Sequence, residues 1–223
     1  MAVGQGLLDG LVLFAGLRPD QRVLEVGCGN GRLAVPLTTF LADGGSYVGT
    51  DVVRSGIRWC RRAIASRFAN FEFMHVDVRH PLYRPRGRGG EAASFPFGDD
   101  SFDVVVLTSV FTHLLPQETV GMLEQAARVL RSGGVLFSTW FVPDLDEVVP
   151  DADYAFERVD AVHAVGRRDV PHARVAYDEG WVRDRMIEAG FERVDEMHPG
   201  AWRNAGGGPL YHDAFVARMP SDA

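Results

Sequence analysis

The stretch Val23–Ala34, VLEVGCGNGRLA, places glycines at 27, 29 and 31 directly after an apolar run, with Glu25 two residues ahead of the first. A glycine-rich turn at a strand end lets a ligand approach backbone N–H groups closely, so it suits a dinucleotide, a phosphate or another nucleotide-like group. A dinucleotide fingerprint needs glycine or alanine three residues after its second glycine, and Arg32 stands there. A Walker phosphate loop needs a lysine, yet all 23 basic residues are arginine. The same absence excludes a pyridoxal Schiff base and the Tyr-x-x-x-Lys pair of short-chain dehydrogenases. Glu25 repels a pyrophosphate and attracts an amino-acid ammonium.

Two more carboxylates stand where strands are expected to end. Asp51, 20 residues after Gly31, is placed to accept from both ribose hydroxyls. Asp77, in MHVDV, is placed to accept from an adenine amino group. His113, in the segment TSVFTHL (Thr108–Leu114), is the best candidate for a base or an orienting group, because an unperturbed imidazole titrates near neutral pH. The histidines and cysteines show no metal-ligand spacing, and no metal is expected.

Apolar runs alternate with helical patterns, as in a doubly wound, mostly parallel α/β sheet. Strands are expected at about Arg22 to Val26, Ser46 to Thr50, Phe71 to His75, Phe102 to Thr108 and Val135 to Phe141. Helices are expected at about Gly4 to Ala15, Gly31 to Leu41, Arg54 to Phe68, Pro116 to Leu130 and Asp178 to Ala189. Late strands at about Phe191 to His198 and Leu210 to Ala217 complete the chain. RSGG, Arg131–Gly134, reads as a helix stop before the fifth strand. Two segments, about 78–98 and 142–177, are too long for plain connections and are expected to be functional loops.

Taken together, VLEVGCGNGRLA, YVGTDVV, FMHVDV, FPFGDDSFDVVVLTSVFTHL and ARVLRSGGVLFSTW resemble, in order, the motif series of class I S-adenosylmethionine-dependent methyltransferases. More specifically, the chain resembles the bacterial small-molecule members of methyltransferase types 11 and 12. The resemblance covers about Arg22 to Trp140 and implies a seven-stranded Rossmann-like sheet with an antiparallel last strand. It implies S-adenosyl-L-methionine as cofactor, with Glu25 and Gly27 near the methionine end, and Gly29 and Gly31 permitting close backbone approach. Asp51 would take the ribose and Asp77 the adenine, while Cys28, Asn30, Val52, Val78, Thr108 and Ser109 complete the expected cofactor contacts. Asp103, in SFDVVV, is expected to support its strand start.

Methyl transfer is an in-line displacement that depends on positioning, and it needs a base only if the acceptor must lose a proton. His113 is the candidate for that role. Base-modifying amino methyltransferases carry Asn or Asp followed by Pro-Pro where this chain has Thr108-Ser109-Val110, so a small-molecule acceptor is favoured. About 18 residues separate Asp77 from Phe95, and they carry Arg79, His80, Tyr83, Arg84, Arg86 and Arg88. A bacterial subgroup with Tyr-Asn-Pro-x-Gly at this place is similar to YRPRG here, with Arg84 for the asparagine. PLYHDAFVA likewise resembles its Tyr-Gln-Asp run, with His212 for the glutamine. Tyr83, Arg84, Arg86 and His212 are therefore the expected acceptor contacts, the arginines suiting an anionic acceptor. His163, Arg167, Arg168 and His172, in the second long segment, are expected in a lid, and Trp202, Tyr211 and Asp213 on the same side.

Composition sets outer bounds. At 223 residues, 46% hydrophobic and 24% charged, the chain reads as one globular domain spanning residues 1–223. Its net charge of −7 argues against a broad duplex nucleic-acid surface. No run approaches the roughly 20 apolar residues of a membrane span. The apolar start has no basic region before it, so a signal peptide is not expected. Cys28 and Cys60 fit a reducing cytoplasm. The expected function is methyl transfer to an O or N atom of a small molecule. The alternative is a non-catalytic S-adenosylmethionine-binding or assembly module of the same fold. An NAD-dependent oxidoreductase is disfavoured by Arg32.

Overall fold

The structure, a computed structural model, describes residues 2–87, 94–146, 155–203 and 209–222. Arg88 lies outside the described residues, as do parts of both long segments. The strands are β1 (Arg22–Val26), β2 (Ser46–Asp51), β3 (Phe71–His75), β4 (Phe102–Leu107), β5 (Leu130–Trp140), β6 (Glu157–Arg158), β7 (His163–Val165), β8 (Val175–Tyr177), β9 (Arg193–Val194) and β10 (Asp213–Arg218). The α-helices are α1 (Ala2–Gly10), α2 (Ala34–Phe40), α3 (Arg54–Cys60), α4 (Pro116–Val129) and α5 (Glu179–Glu188). A wider π-helical stretch follows α1 at Leu11–Ala15 and α3 at Arg61–Ala65.

Successive strand residues point to opposite faces, and here both faces are apolar. Val23, Val104 and Val106 pack with Leu7, Leu37 and Ile57 on the side of α1, α2 and α3. Leu24, Val105 and Leu107 pack with Leu123, Val182 and Met186 on the side of α4 and α5. A sheet buried on both faces reads as a continuous apolar run, which is why FDVVVL carries no polar alternation beyond Asp103.

The main sheet has the order β3-β2-β1-β4-β5-β10-β9. The first five of these strands run parallel, and β10 is antiparallel to both β5 and β9. This is the expected seven-stranded architecture. Its chain reversal lies between β1 and β4, where β1 has β2 on one side and β4 on the other. In open α/β sheets ligands bind beyond the strand ends at such a switch point. Asp103 does support its strand: the Arg22 N–H donates to its carboxylate at 2.6 Å, and Arg131 pairs with it.

Several boundaries differ from the sequence reading. The second helix starts at Ala34, because Gly31 has φ of 77° and cannot lie in a right-handed helix. Arg131–Gly134 is a bulge within β5, not the stop before it. Leu130 already pairs with Phe102, and the ladder then slips so that Val104 meets Val135. The strand expected at Phe191 to His198 narrows to Arg193–Val194 plus a single bridge from His198 to Ala214. The last strand starts at Asp213, three residues later than expected.

The second long segment is not plain loop. It builds a three-stranded antiparallel sheet, β6-β7-β8, with a 3-10 turn at Pro171–Ala173 before β8. The Tyr177 hydroxyl donates to the Leu114 carbonyl at 2.6 Å and lies 2.9 Å from Thr119 Oγ1, fastening this sheet beside α4. Among the described residues, no helix is long and apolar enough to cross a membrane.

Candidate active site

The glycine loop leaves β1 through three left-handed residues: Gly27, Gly29 and Gly31 have φ of 80°, 55° and 77°. They do different things. A Cβ on Gly27 would stand 2.7 Å from Val110, and one on Gly31 would stand 3.0 Å from Ile64 and 3.2 Å from Cys60 Sγ. Gly31 therefore serves close helix packing. Nothing lies within 4 Å of a Cβ on Gly29, so its backbone opens onto a cavity of about 420 Å³.

Asp51 fixes this loop. Its Oδ2 accepts the Gly29 N–H at 2.7 Å and its Oδ1 the Val53 N–H at 2.7 Å. An ionised carboxylate has about four acceptor positions, so two remain on a side chain that lines the cavity. Val52, Val78, Thr108 and Ser109 line it too, with Val26, Val76, Phe95, Phe97, Val110, Leu114 and Met122 forming an apolar wall.

Glu25 is not part of that wall. It is 3% exposed and accepts the Tyr47 hydroxyl behind the loop. The room comes from Gly49, which pairs with Glu25 across the sheet, since a Cβ there would stand 2.8 Å from the Tyr47 hydroxyl. Burial pushes the Glu25 carboxyl up to about 7, and the bond from Tyr47 and the charge of Arg32 only partly offset it.

Other expected cofactor contacts also stand outside the wall. Cys28 turns into the core beneath the loop, where burial holds its thiol protonated, and Asn30 is exposed. Asp77 receives Arg84 on a single oxygen, Oδ1, from Nε at 3.0 Å and Nη2 at 2.8 Å. That bond holds the Asp77 carboxyl below the usual range. Arg84 is therefore spent on Asp77, and Arg86 is exposed; neither lines the cavity.

His113 does line the cavity, beside Tyr83. Phe111 stacks on buried Trp140 with ring centres 3.9 Å apart, anchoring the turn that carries His113. His113 Nδ1 lies 2.9 Å from the His172 carbonyl oxygen. A carbonyl only accepts, so Nδ1 carries the proton and Nε2 the lone pair. The Tyr83 hydroxyl, 3.2 Å from Nε2, is then the donor. Burial lowers the His113 pKa, which keeps the ring neutral near pH 7.

The two long segments meet at this histidine. His80 Nε2 donates to the His113 carbonyl at 3.1 Å, and His172 Nε2 reaches Glu118 at 3.1 Å. Glu118 in turn accepts the Leu115 N–H at the start of α4. Ser109, with φ of 57°, is held by Thr139 Oγ1 on its N–H, and its hydroxyl lies 3.2 Å from His212 Nδ1. His212 thus stands one layer behind the wall, its pKa pushed down to about 4 by burial and by the charges of His113 and Arg32.

Other expected lid residues lie elsewhere. His163 pairs with Asp160, Arg167 with Asp169 and Arg168 with Glu157. Asp213 is a buried fastener that accepts from Val142 N, Gly200 N and Trp202 Nε1. Arg32, Arg79, His80 and Glu118 also line the cavity; the sequence marks Arg32 only as breaking the dinucleotide spacing and Arg79 and His80 only as part of the basic insertion, and it gives no sign of Glu118. The usable signal was Arg32 beside the last loop glycine. Among the described residues, no group of three or more His, Cys, Asp or Glu could hold a metal ion.

A glycine loop after the first strand, an acid closing the second and an antiparallel strand between the last two define an S-adenosylmethionine-dependent methyltransferase domain of the class I fold. The chain belongs to the family described as "Methyltransferase domain", whose profile matches residues 24–138, just over half of it. It is 36% identical over 135 residues to phthiotriol/phenolphthiotriol dimycocerosates methyltransferase 1 of Mycobacterium ulcerans, a match covering 60% of this chain and 43% of that protein. It is 34% identical over 137 residues to a fatty-acid O-methyltransferase of Mycolicibacterium smegmatis, covering 59% and 43%. The matched region is thus less than half of either relative. A solved S-adenosylmethionine-dependent methyltransferase from Aquifex aeolicus shares the fold, with TM-score 0.61 and 19% identity, covering 97% of this chain and 89% of that one. So does the Burkholderia thailandensis 1,6-didemethyltoxoflavin-N1-methyltransferase, solved with 1,6-didemethyltoxoflavin and S-adenosylhomocysteine bound. Its TM-score is 0.63 at 16% identity, covering 99% and 79%.

Proposed function

We propose that this protein transfers a methyl group from S-adenosylmethionine to an oxygen or nitrogen atom of a small molecule with an apolar body. The observation that carries the reading is His113 Nε2, a lone pair of fixed tautomer facing the same cavity as the open glycine loop. Gly27 and Gly29 give backbone to the cofactor, Asp51 the ribose acceptors, and Val52 and Val78 apolar surface for its base. Thr108 and Ser109 stand at the end of β4, toward His113. Asp77 stays at the rim, held by Arg84. Bound S-adenosylmethionine supplies an electrophilic methyl group on its sulfonium.

His113 Nε2 takes the proton of an acceptor O–H or N–H, in the place where it now receives the Tyr83 hydroxyl. Tyr83 and the His172 turn cover the acceptor side, so the two long segments act as its lid. The apolar wall supports an apolar acceptor, as does the substrate named for the fatty-acid O-methyltransferase relative. Of the insertion's described arginines, Arg79 lines the cavity and suits an anionic acceptor group. Cys28 and Cys60, both free and buried, fit a reducing cytoplasm.

The test is a screen with radiolabelled cofactor against pools of apolar alcohols, phenols, acids and amines. Label transfer that disappears in Asp51→Ala supports the reading. Tight cofactor binding with no transfer to any pool would favour a non-catalytic module.

A further inference from the structure

His113 takes its tautomer from a backbone group. Its Nδ1 faces the His172 carbonyl at 2.9 Å, across 59 residues of chain, and that carbonyl belongs to the 3-10 turn Pro171–Ala173. Left to itself, a neutral imidazole side chain favours the proton on Nε2, which here is the nitrogen that must stay bare. A carbonyl can reverse that preference only as firmly as its own turn is held. Within the turn the Ala173 N–H donates to the Val170 carbonyl at 3.0 Å. That bond shapes the turn without attaching it to the element that carries His113.

The attachment is the side chain of His172 itself. Its Nε2 donates to Glu118, 3.1 Å from Oε2 and 3.4 Å from Oε1. The same Oε2 accepts the Leu115 N–H at 2.7 Å, two residues beyond His113. One carboxylate oxygen therefore ties together the chain leaving His113 and the turn that faces its Nδ1. The two side chains are only 17% and 13% exposed, so water competes weakly for the bond between them. The His80 ring packs edge-on against His172, with centres 5.6 Å apart, and its Nε2 donates to the His113 carbonyl. Glu118 reaches the cavity wall, yet its Oε2 is taken up by protein donors.

We propose that Glu118 and His172 form a positioning pair that fixes the tautomer of His113 and so keeps the Nε2 lone pair on the acceptor side of the cavity. The pair acts through the turn's carbonyl and makes no bond to the reacting atoms. This rests on the reading of His113 as the group that takes the acceptor's proton. It gives a role to two side chains that the strand-end motifs do not reach.

The test is 15N NMR of the histidine rings at neutral pH, where burial keeps His113 neutral, with its signals assigned by their loss in His113→Gln. A ring nitrogen with a lone pair resonates far from one that carries a proton, and in the wild type His113 Nε2 should give the lone-pair signal. His172→Ala keeps the backbone carbonyl and the bond from Leu115 to Glu118, and removes only the tie between them. It should move the Nε2 signal well toward the protonated position, since one hydrogen bond weights such an equilibrium about tenfold. Glu118→Ala should do the same, and the double variant should go no further, because the two act as a unit. His172→Gln, whose amide donates to Glu118, should keep most of the wild-type signal. With an acceptor from the label-transfer screen, kcat of His172→Ala should fall about threefold to tenfold while affinity for S-adenosylhomocysteine is unchanged. A wild-type His113 with its proton on Nε2 overturns the proposal without any variant having to fold. A lone-pair signal that survives in His172→Ala overturns it too, as does a His172→Gln that loses as much as the alanine. Failure of the label-transfer screen strikes the function reading and leaves the NMR result standing, so the two failures are distinct.

Discussion

Replacing Glu25 with glutamine should flatten the dependence of stability on pH. Glu25 is 3% exposed and its carboxyl is raised from 4.5 to about 7 by burial. Between those two values the folded chain binds more protons than the unfolded one, so stability falls as pH rises. The loss begins near pH 4.5, is complete above about pH 7, and is absent below the unfolded value. At about 1.4 kcal/mol per pH unit, the shift amounts to about 3 kcal/mol. Glutamine keeps an acceptor for the Tyr47 hydroxyl and carries no charge to desolvate. Urea unfolding, followed by tryptophan fluorescence from pH 4.5 to 8, should show the wild type losing about 3 kcal/mol more than Glu25→Gln across that range. Any change in the Tyr47 hydrogen bond shifts the two curves by a constant and leaves this difference intact. Parallel curves would refute the reasoning and would mean that Glu25 titrates alike in the folded and unfolded chains.

The loop glycines should separate binding from folding. Gly29→Val adds a side chain on the open cavity side at a left-handed position, at about 1–2 kcal/mol of backbone strain. It should lower S-adenosylhomocysteine affinity more than tenfold while circular dichroism stays native. Gly31→Val meets Ile64 and Cys60 instead, so its main effect should be a lower melting temperature. For His113, burial sets the pKa below 6.5. With an acceptor from the label-transfer screen, kcat/KM should rise with pH below 6.5 and be flat through neutrality. His113→Gln should lose at least tenfold in kcat and also lose that acidic limb.

Much of the fold was legible because a sheet buried on both faces needs uninterrupted apolar runs. FDVVVL announces itself that way, the edge strand FEFMH shows itself by alternation with Glu72 exposed, and glycines mark the turn between β1 and α2. What the sequence concealed depended on pairing. Arg131–Gly134 has the composition of a helix stop, and only the slip opposite Phe102 shows it to be a bulge within β5. β6, β7 and β8 have two or three residues each, too short for a period to emerge.

The site divided along the same line. Asp51, Gly29 and His113 occupy places set by their own strand ends, so motif spacing located them on the cavity. Glu25 and His212 are decided by partners far along the chain or across the sheet, namely Tyr47 and Ser109. No local pattern encodes those choices. Arginine-rich composition likewise drew attention to Arg84 and Arg86, whereas among the described residues Arg32 and Arg79 are the arginines that line the cavity.

A crystal structure of the chain with S-adenosylhomocysteine tests the central claim most directly. The ribose hydroxyls should lie on Asp51, the adenine against Val52 and Val78, and the homocysteine sulfur on the His113 side of the glycine loop. A ligand bound elsewhere, or seated in the cavity with its sulfur turned away from His113, would contradict the account.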